Sequence, residues 1–156
     1  MTDNEIINKA KETLGNIAIE ITNPAPRRIF LKVDKKDLVE AVQRLKQGLD
    51  YNFLSTISGL DKGEVFEVLY HFTNEFAVLT VRTTTSRNDP KIPTITGVIP
   101  GAILYERELQ DMFGLVIENI PDPRPLVLPD DWPANVYPLR KDWKYERPVE
   151  KIPGGE

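Results

Sequence analysis

The sequence predicts an α+β fold: a two-layer sandwich of helix, two strands, helix and three-strand meander, with a C-terminal helix and an extended proline-rich arm. Three observations carry that prediction. Apolar residues recur at helical spacing in separate segments. Alternating runs between those segments are punctuated by turn residues. Finally, eight of the thirteen prolines fall between Pro121 and Pro153, a density that forbids a regular helix or a central strand. The chain therefore divides into a sandwich over residues 1–100 and a helix with its docking arm over 101–156.

The first helix opens on a capping box, Thr2 with Glu5, continues through Ile6, Ile7, Ala10 and Leu14, and closes at Gly15. Ile17 to Ile21 alternates as a strand that Asn23-Pro24-Ala25-Pro26 should end, and Arg28 to Val33 reads as the second strand. Asp34 then caps a helix whose stripe is Leu38, Val42, Leu45 and Leu49, with Gly48 as its stop. Three strands follow, Phe53 to Leu60, Val65 to Phe72 and Phe76 to Thr85, separated by Asp61-Lys62-Gly63 and Thr73-Asn74-Glu75. That spacing predicts an antiparallel meander. Ser86 to Pro93 reads as a polar loop and Ile95 to Ile99 as a short strand. Pro100-Gly101 leads into a third helix, Ala102 to Phe113, stopped by Gly114.

Composition narrows the function. A net charge of −4 argues against nucleic acid as the main partner, because phosphate binding needs a concentrated basic surface. Cysteine is absent and His71 is the single histidine, which removes thiolate chemistry, disulfides and cysteine-held clusters and leaves poor material for zinc or iron. His71 shares a strand face with Glu67 and reads as a satisfied surface histidine rather than a catalyst. No segment approaches the roughly 20 apolar residues of a spanning helix, so direct membrane insertion is not expected. The first residues lack the basic and then apolar run of a signal peptide, which predicts a cytoplasmic chain.

Beyond Gly114 the arm carries Leu126, Val127, Leu128, Trp132, Val136, Tyr137, Leu139 and Trp143 among its prolines. Each such side chain contributes roughly 1.5–3 kcal/mol when fully buried. The arm should therefore lie on its own sandwich, on another protein, or on both. Charged constellations have two readings each. Arg107 and Asp111 are one helical turn apart and can pair, and Glu108 neighbours Asp111; the cluster is a solvated face, a partner-facing surface or, at the far end, an acid/base pair. Asp130 and Asp131 beside Trp132 suggest a hydrolase or cation site. Adjacent residues of an extended chain point apart, however, which favours an Asx turn. Arg140 within Leu139-Arg140-Lys141-Asp142-Trp143 could clamp a carboxylate or simply sit in solvent.

Three blocks in order resemble the signature of the respiratory complex I 30 kDa subunit family. They are Tyr105-Glu106-Arg107-Glu108 with Asp111 and Gly114; Pro121-Asp122-Pro123-Arg124 with Leu126-Val127-Leu128-Pro129-Asp130-Asp131-Trp132; and Tyr137-Pro138-Leu139-Arg140-Lys141-Asp142. Ile120 and Pro125 stand where the family usually shows a histidine and an arginine. The Pro125 to Pro129 form looks closer to the equivalent subunits of membrane-bound energy-converting [NiFe] hydrogenases.

The resemblance implies a non-catalytic peripheral subunit of an ion-translocating oxidoreductase, attached to the cytoplasmic membrane through its complex. It implies no cofactor in this chain; iron–sulfur clusters, and [NiFe] in the hydrogenase branch, belong to partners. Those partners are a large hydrogenase-like or 49 kDa-like subunit, a small iron–sulfur subunit and, indirectly, membrane subunits. Glu106, Arg107, Glu108, Asp111, Asp122, Arg124, Asp130, Asp131, Trp132, Leu139, Arg140, Lys141 and Asp142 would organise the arm and its contacts. The alternatives are a carboxylate-dependent hydrolase using Glu108, Asp130 or Asp131, and a generic adaptor whose arm folds back on itself.

Overall fold

The structure, a computed structural model, describes residues 1–145; the end of the predicted arm, 146–156 with Pro148 and Pro153, lies outside the described residues. Helix α1 (Asp3–Leu14) begins at the expected capping box: Glu5 N–H donates to the Thr2 hydroxyl and Thr2 N–H to the Glu5 carboxylate. Its apolar stripe Ile6, Ala10 and Leu14 is fully buried. Strands β1 (Glu20–Ala25) and β2 (Arg28–Lys32) form an antiparallel hairpin.

The first strand is displaced from its expected place, because residues 15–17 form a 3₁₀ turn and β1 runs on through Pro24. An edge strand tolerates proline, since its outer side needs no N–H donor, and the register slips between Thr22 and Ala25. Arg27 closes the hairpin at φ 61°. Asp3 accepts the Arg27 N–H, and the Arg27 guanidinium donates to the carbonyls of Glu75 and Phe76, holding a conformation that a non-glycine residue rarely adopts.

Asp34 caps a 3₁₀ turn, Lys35–Asp37, rather than the helix itself, and α2 (Leu38–Leu49) follows. Gly48 lies inside α2, where a Cβ would stand 2.9 Å from the Thr13 side chain of α1. The helix stop is Asp50 in the left-handed region at φ 59°. Glycine here serves helix–helix approach rather than termination.

Strands β3 (Phe53–Asp61), β4 (Val65–Thr73) and β5 (Val78–Ser86) form the expected antiparallel meander. Strand β2 adds to β5 in parallel, giving one sheet in the order β1-β2-β5-β4-β3. Alternation then decides the layers. Ile29 and Leu31, Leu79 and Val81, and Phe66, Val68, Tyr70 and Phe72 point to one face and are buried.

Helix α3 (Ile103–Phe113) enters through a 3₁₀ turn, Pro100–Ala102, and buries Leu109 and Phe113 in the same core. Phe113 meets Phe66 edge to face at 6.1 Å. Gly59 of β3 gives it room, since a Cβ there would lie 2.5 Å from the Phe113 ring. The strand expected at Ile95 to Ile99 is absent: Val98 and Ile99 both donate to the Ile95 carbonyl and curl the segment. Strand β6 (Lys91–Pro93) instead pairs in parallel with β7 (Val116–Glu118), and α3 is the crossover.

Candidate functional site

The candidate site is the arm and the surface that seats it. Beyond β7 the chain makes no helix or strand among the described residues, so its backbone donors need partners of another kind. Asp111 supplies one set. One of its oxygens accepts the N–H groups of Leu126, Val127 and Leu128 at 2.9, 2.8 and 3.2 Å. The i,i+4 pair expected between Arg107 and Asp111 is therefore not formed. Arg107 faces the arm instead, donating to the carbonyls of Arg124 and Pro125 and lying 3.3 Å from the Asp122 carboxylate. Asp122 also accepts from the Arg124 backbone and guanidinium, and those contacts, with Arg107 nearby, hold its carboxyl far below the usual range. The Asx turn thus forms at Asp122.

At Asp130 and Asp131 the corresponding turn is closed by backbone, Trp132 N–H donating to the Pro129 carbonyl. Both carboxylates are exposed, as is Glu108, and none of the three accepts a hydrogen bond among the described residues. Trp132 donates its indole N–H to the Val136 carbonyl and packs 6.4 Å from Trp143. Asp111, Leu128, Trp132 and Tyr137 wall a cleft of about 250 Å³.

The third block returns to α3. Leu139 N–H donates to the Met112 carbonyl, and Arg140 Nε to the Phe113 carbonyl at 2.7 Å. The Arg140 guanidinium lies 4.4 Å from the Tyr137 ring and 5.1 Å from Phe66, so it stacks on aromatics and caps a helix end, and it pairs with no carboxylate among the described residues. Gly114, at φ 68°, makes the approach possible, because a Cβ there would sit 2.5 Å from the Tyr137 ring and 2.8 Å from Arg140. Gly114→Ala is expected to cost about 2 kcal/mol, from overpacking and left-handed strain together. Urea denaturation should show that loss, with faster proteolytic cutting of the arm; an unchanged arm would mean that Tyr137 is not seated there.

A last anchor comes from a residue absent from the expected set. Asp61, at the end of β3, is 6% exposed and accepts from the Gly63 N–H, the Lys141 N–H and Arg87, at 2.9, 2.9 and 2.8 Å. Arg87 extends to Asp142 at 2.8 Å, so Asp142 does contact charge, but within its own chain. Burial pushes the Asp61 carboxyl up, yet the three donors outweigh it and hold it at about 2. Glu106 is also placed inward: it is fully buried and accepts from the Thr94 hydroxyl and the Ile95 N–H. It has no surface to offer a partner. Sequence reading placed Asp61 in a turn, and only the fold brings it under Lys141.

After these contacts Leu126, Val127, Leu139 and Tyr145 remain exposed, at 41%, 50%, 53% and 67%. Among the described residues no group of three or more His, Cys, Asp or Glu side chains is placed to hold a metal ion. No helix among them is long and apolar enough to cross a membrane.

The pattern of the family described as "Respiratory-chain NADH dehydrogenase, 30 Kd subunit" matches residues 31–149, a range containing α2, β3 to β7, α3 and the described arm. A subunit of the NADH-quinone oxidoreductase of Chloroherpeton thalassium is 34% identical over 143 residues, covering 87% of this chain and 58% of that protein. Formate hydrogenlyase subunit 5 of Escherichia coli is 42% identical over 113 residues, 67% of this chain and 19% of that protein. The chain thus spans less than two thirds of either relative. A chain in the structure of the membrane-bound sulfane sulfur reductase, an archaeal respiratory membrane complex, shares the fold with a TM-score of 0.80 at 24% identity, over 90% of this chain and 85% of that one.

Proposed function

Because this chain belongs to the respiratory-chain NADH dehydrogenase 30 kDa subunit family, we propose that it is a non-catalytic peripheral subunit of a membrane-bound, ion-translocating oxidoreductase. Its arm docks on the large cofactor-bearing subunit, with a small iron–sulfur subunit nearby and membrane subunits reached only indirectly. It sits on the cytoplasmic side, and the redox cofactors reside in its partners. Relatives in both NADH-quinone oxidoreductase and formate hydrogenlyase support the class of complex.

The observation that carries the reading is the state of the arm. Its backbone is held by Arg107, Asp111, Arg140 and Asp61, while Leu126, Val127 and Leu139 point into solvent. An adaptor folded back on itself would account for the first half of that description but not the second. Rigid presentation lowers the ordering cost of association, and exposed apolar side chains on a fixed backbone are what a partner can bury.

The double variant Leu126→Ser, Val127→Ser tests this. Neither side chain is buried, so unfolding should be unchanged within about 0.5 kcal/mol. Co-purification of the large subunit should fall at least about tenfold, which corresponds to about 1.4 kcal/mol of lost binding. Full retention of that subunit would overturn the docking role of the arm.

A further inference from the structure

All three α-helices pack on one face of the five-stranded sheet, and no element among the described residues covers the other. Pairing registers define the bare face: Arg28, Phe30 and Lys32 on β2, Thr80 and Arg82 on β5, Glu67, Leu69 and His71 on β4. Its centre is already locked. Glu67, 3% exposed, receives Arg82 through Nε and Nη2 at 2.9 and 2.6 Å and lies 2.5 Å from the Lys62 ammonium. His71 bridges the Thr80 and Ser58 hydroxyls. Arg82 lies flat, with its guanidinium carbon 5.8 Å from the Phe30 ring centre.

Charge on this face runs against the rest of the molecule. Among the described residues, Arg28, Lys32, Lys62 and Arg82 on this face are opposed by Glu20, across from Lys32, and by Glu67, whereas the whole chain carries −4. Arg28 and Lys32 enter no salt bridge among the described residues. Burial and the nearby Arg28 both depress the His71 pKa, as a positive face requires. Along β2 the sequence of groups is cation, aromatic, cation, at about 7 Å intervals.

We propose that this bare face is a second docking surface, separate from the arm, and that it takes an acidic protein surface carrying two carboxylates around an apolar side chain. The carboxylates meet Arg28 and Lys32, and the apolar group covers Phe30. A second copy of this chain is disfavoured, because it would set cation against cation. Phosphate is disfavoured because two cations without a salt bridge among the described residues, about two residue pairs apart along one strand, are too few for a polyanion. Within the proposed function this places the chain between two neighbours, one on the arm and one on the sheet.

The test uses the intact complex, purified through a tag on this chain. Carbodiimide coupling should join the Lys32 ammonium to an Asp or Glu of another subunit. Arg28→Gln with Lys32→Gln should release that subunit at lower salt, with about tenfold weaker binding, while the subunit held by the arm stays. Both positions lie on the surface, so the melting temperature should stay within about 2 °C.

Coupling of Lys32 only within its own chain, coupling to a second copy, or unchanged salt elution of every subunit would each overturn the proposal. The Leu126→Ser, Val127→Ser variant separates the two surfaces: it should release the arm's partner and leave Lys32 coupling in place. Failure of the arm reading therefore appears in that variant alone.

Discussion

Asp61→Ala is expected to destabilise the fold by about 3 kcal/mol and to loosen the last described turn of the arm. The carboxylate is almost wholly out of solvent, with 1% of its side chain exposed, and it satisfies two backbone N–H groups and one guanidinium. Alanine leaves those donors without an acceptor. Arg87 keeps Asp142, the Gly63 carbonyl and its position 5.1 Å from the Phe66 ring, which limits the loss. Asp61→Asn retains one acceptor oxygen and should cost less.

The same site sets an acid limit. The folded carboxyl titrates at about 2 and the unfolded one at 3.8, so its contribution is complete above the unfolded value and fades as pH falls through the folded one. The gap in urea midpoint between wild type and Asp61→Ala should therefore be widest at neutral pH and narrow from about pH 4 toward pH 2. Equal midpoints at neutral pH would mean that Asp61 anchors nothing.

What was legible in the sequence was periodic. The capping box of α1, the stripe of α2 and the alternation of β3, β4 and β5 each repeat within a few residues, and the fold follows them. What failed was tertiary. Lys91-Ile92-Pro93 is too short and too proline-bound to read as a strand, and becomes one only because α3 returns Val116–Glu118 beside it. Ile95 to Ile99 is rich in β-branched residues and reads as a short strand, but Glu106 takes the Ile95 N–H that a ladder would need. Arg107 and Asp111 have ideal spacing for a pair and are drawn apart by the arm, whose backbone offers each more contacts. Asp61 looked like an ordinary turn residue because its partner Lys141 is distant in sequence.

Glu106 ties α3, the helix whose Arg107 and Asp111 hold the arm, to the Thr94–Ile95 loop. Glu106→Ala should cost about 3 kcal/mol, since it leaves the Ile95 N–H unpaired and opens a cavity under α3. Burial pushes the Glu106 carboxyl above its usual range, against the pull of the Thr94 hydroxyl and the Ile95 N–H. Below the unfolded value both states are protonated and the site costs nothing. As pH rises through the folded value, the buried charge weakens the native state. Glu106→Gln keeps an acceptor for Ile95 and a group that can donate to the Thr94 oxygen, and it cannot ionise. Relative to that variant, wild type should therefore lose stability as pH rises. Chemical denaturation of the two proteins across the acid and neutral range reads the difference, and a gap that is constant with pH would show that Glu106 does not titrate on folding. The consequence for the arm is direct, because the Thr94–Ile95 loop is tied to α3 one residue from Arg107 and about one turn from Asp111. A variant that loosens this tie should expose the arm to protease even though no arm residue has changed. Arm cleavage in Glu106→Ala that matched wild type would mean that α3 holds its register without this carboxylate.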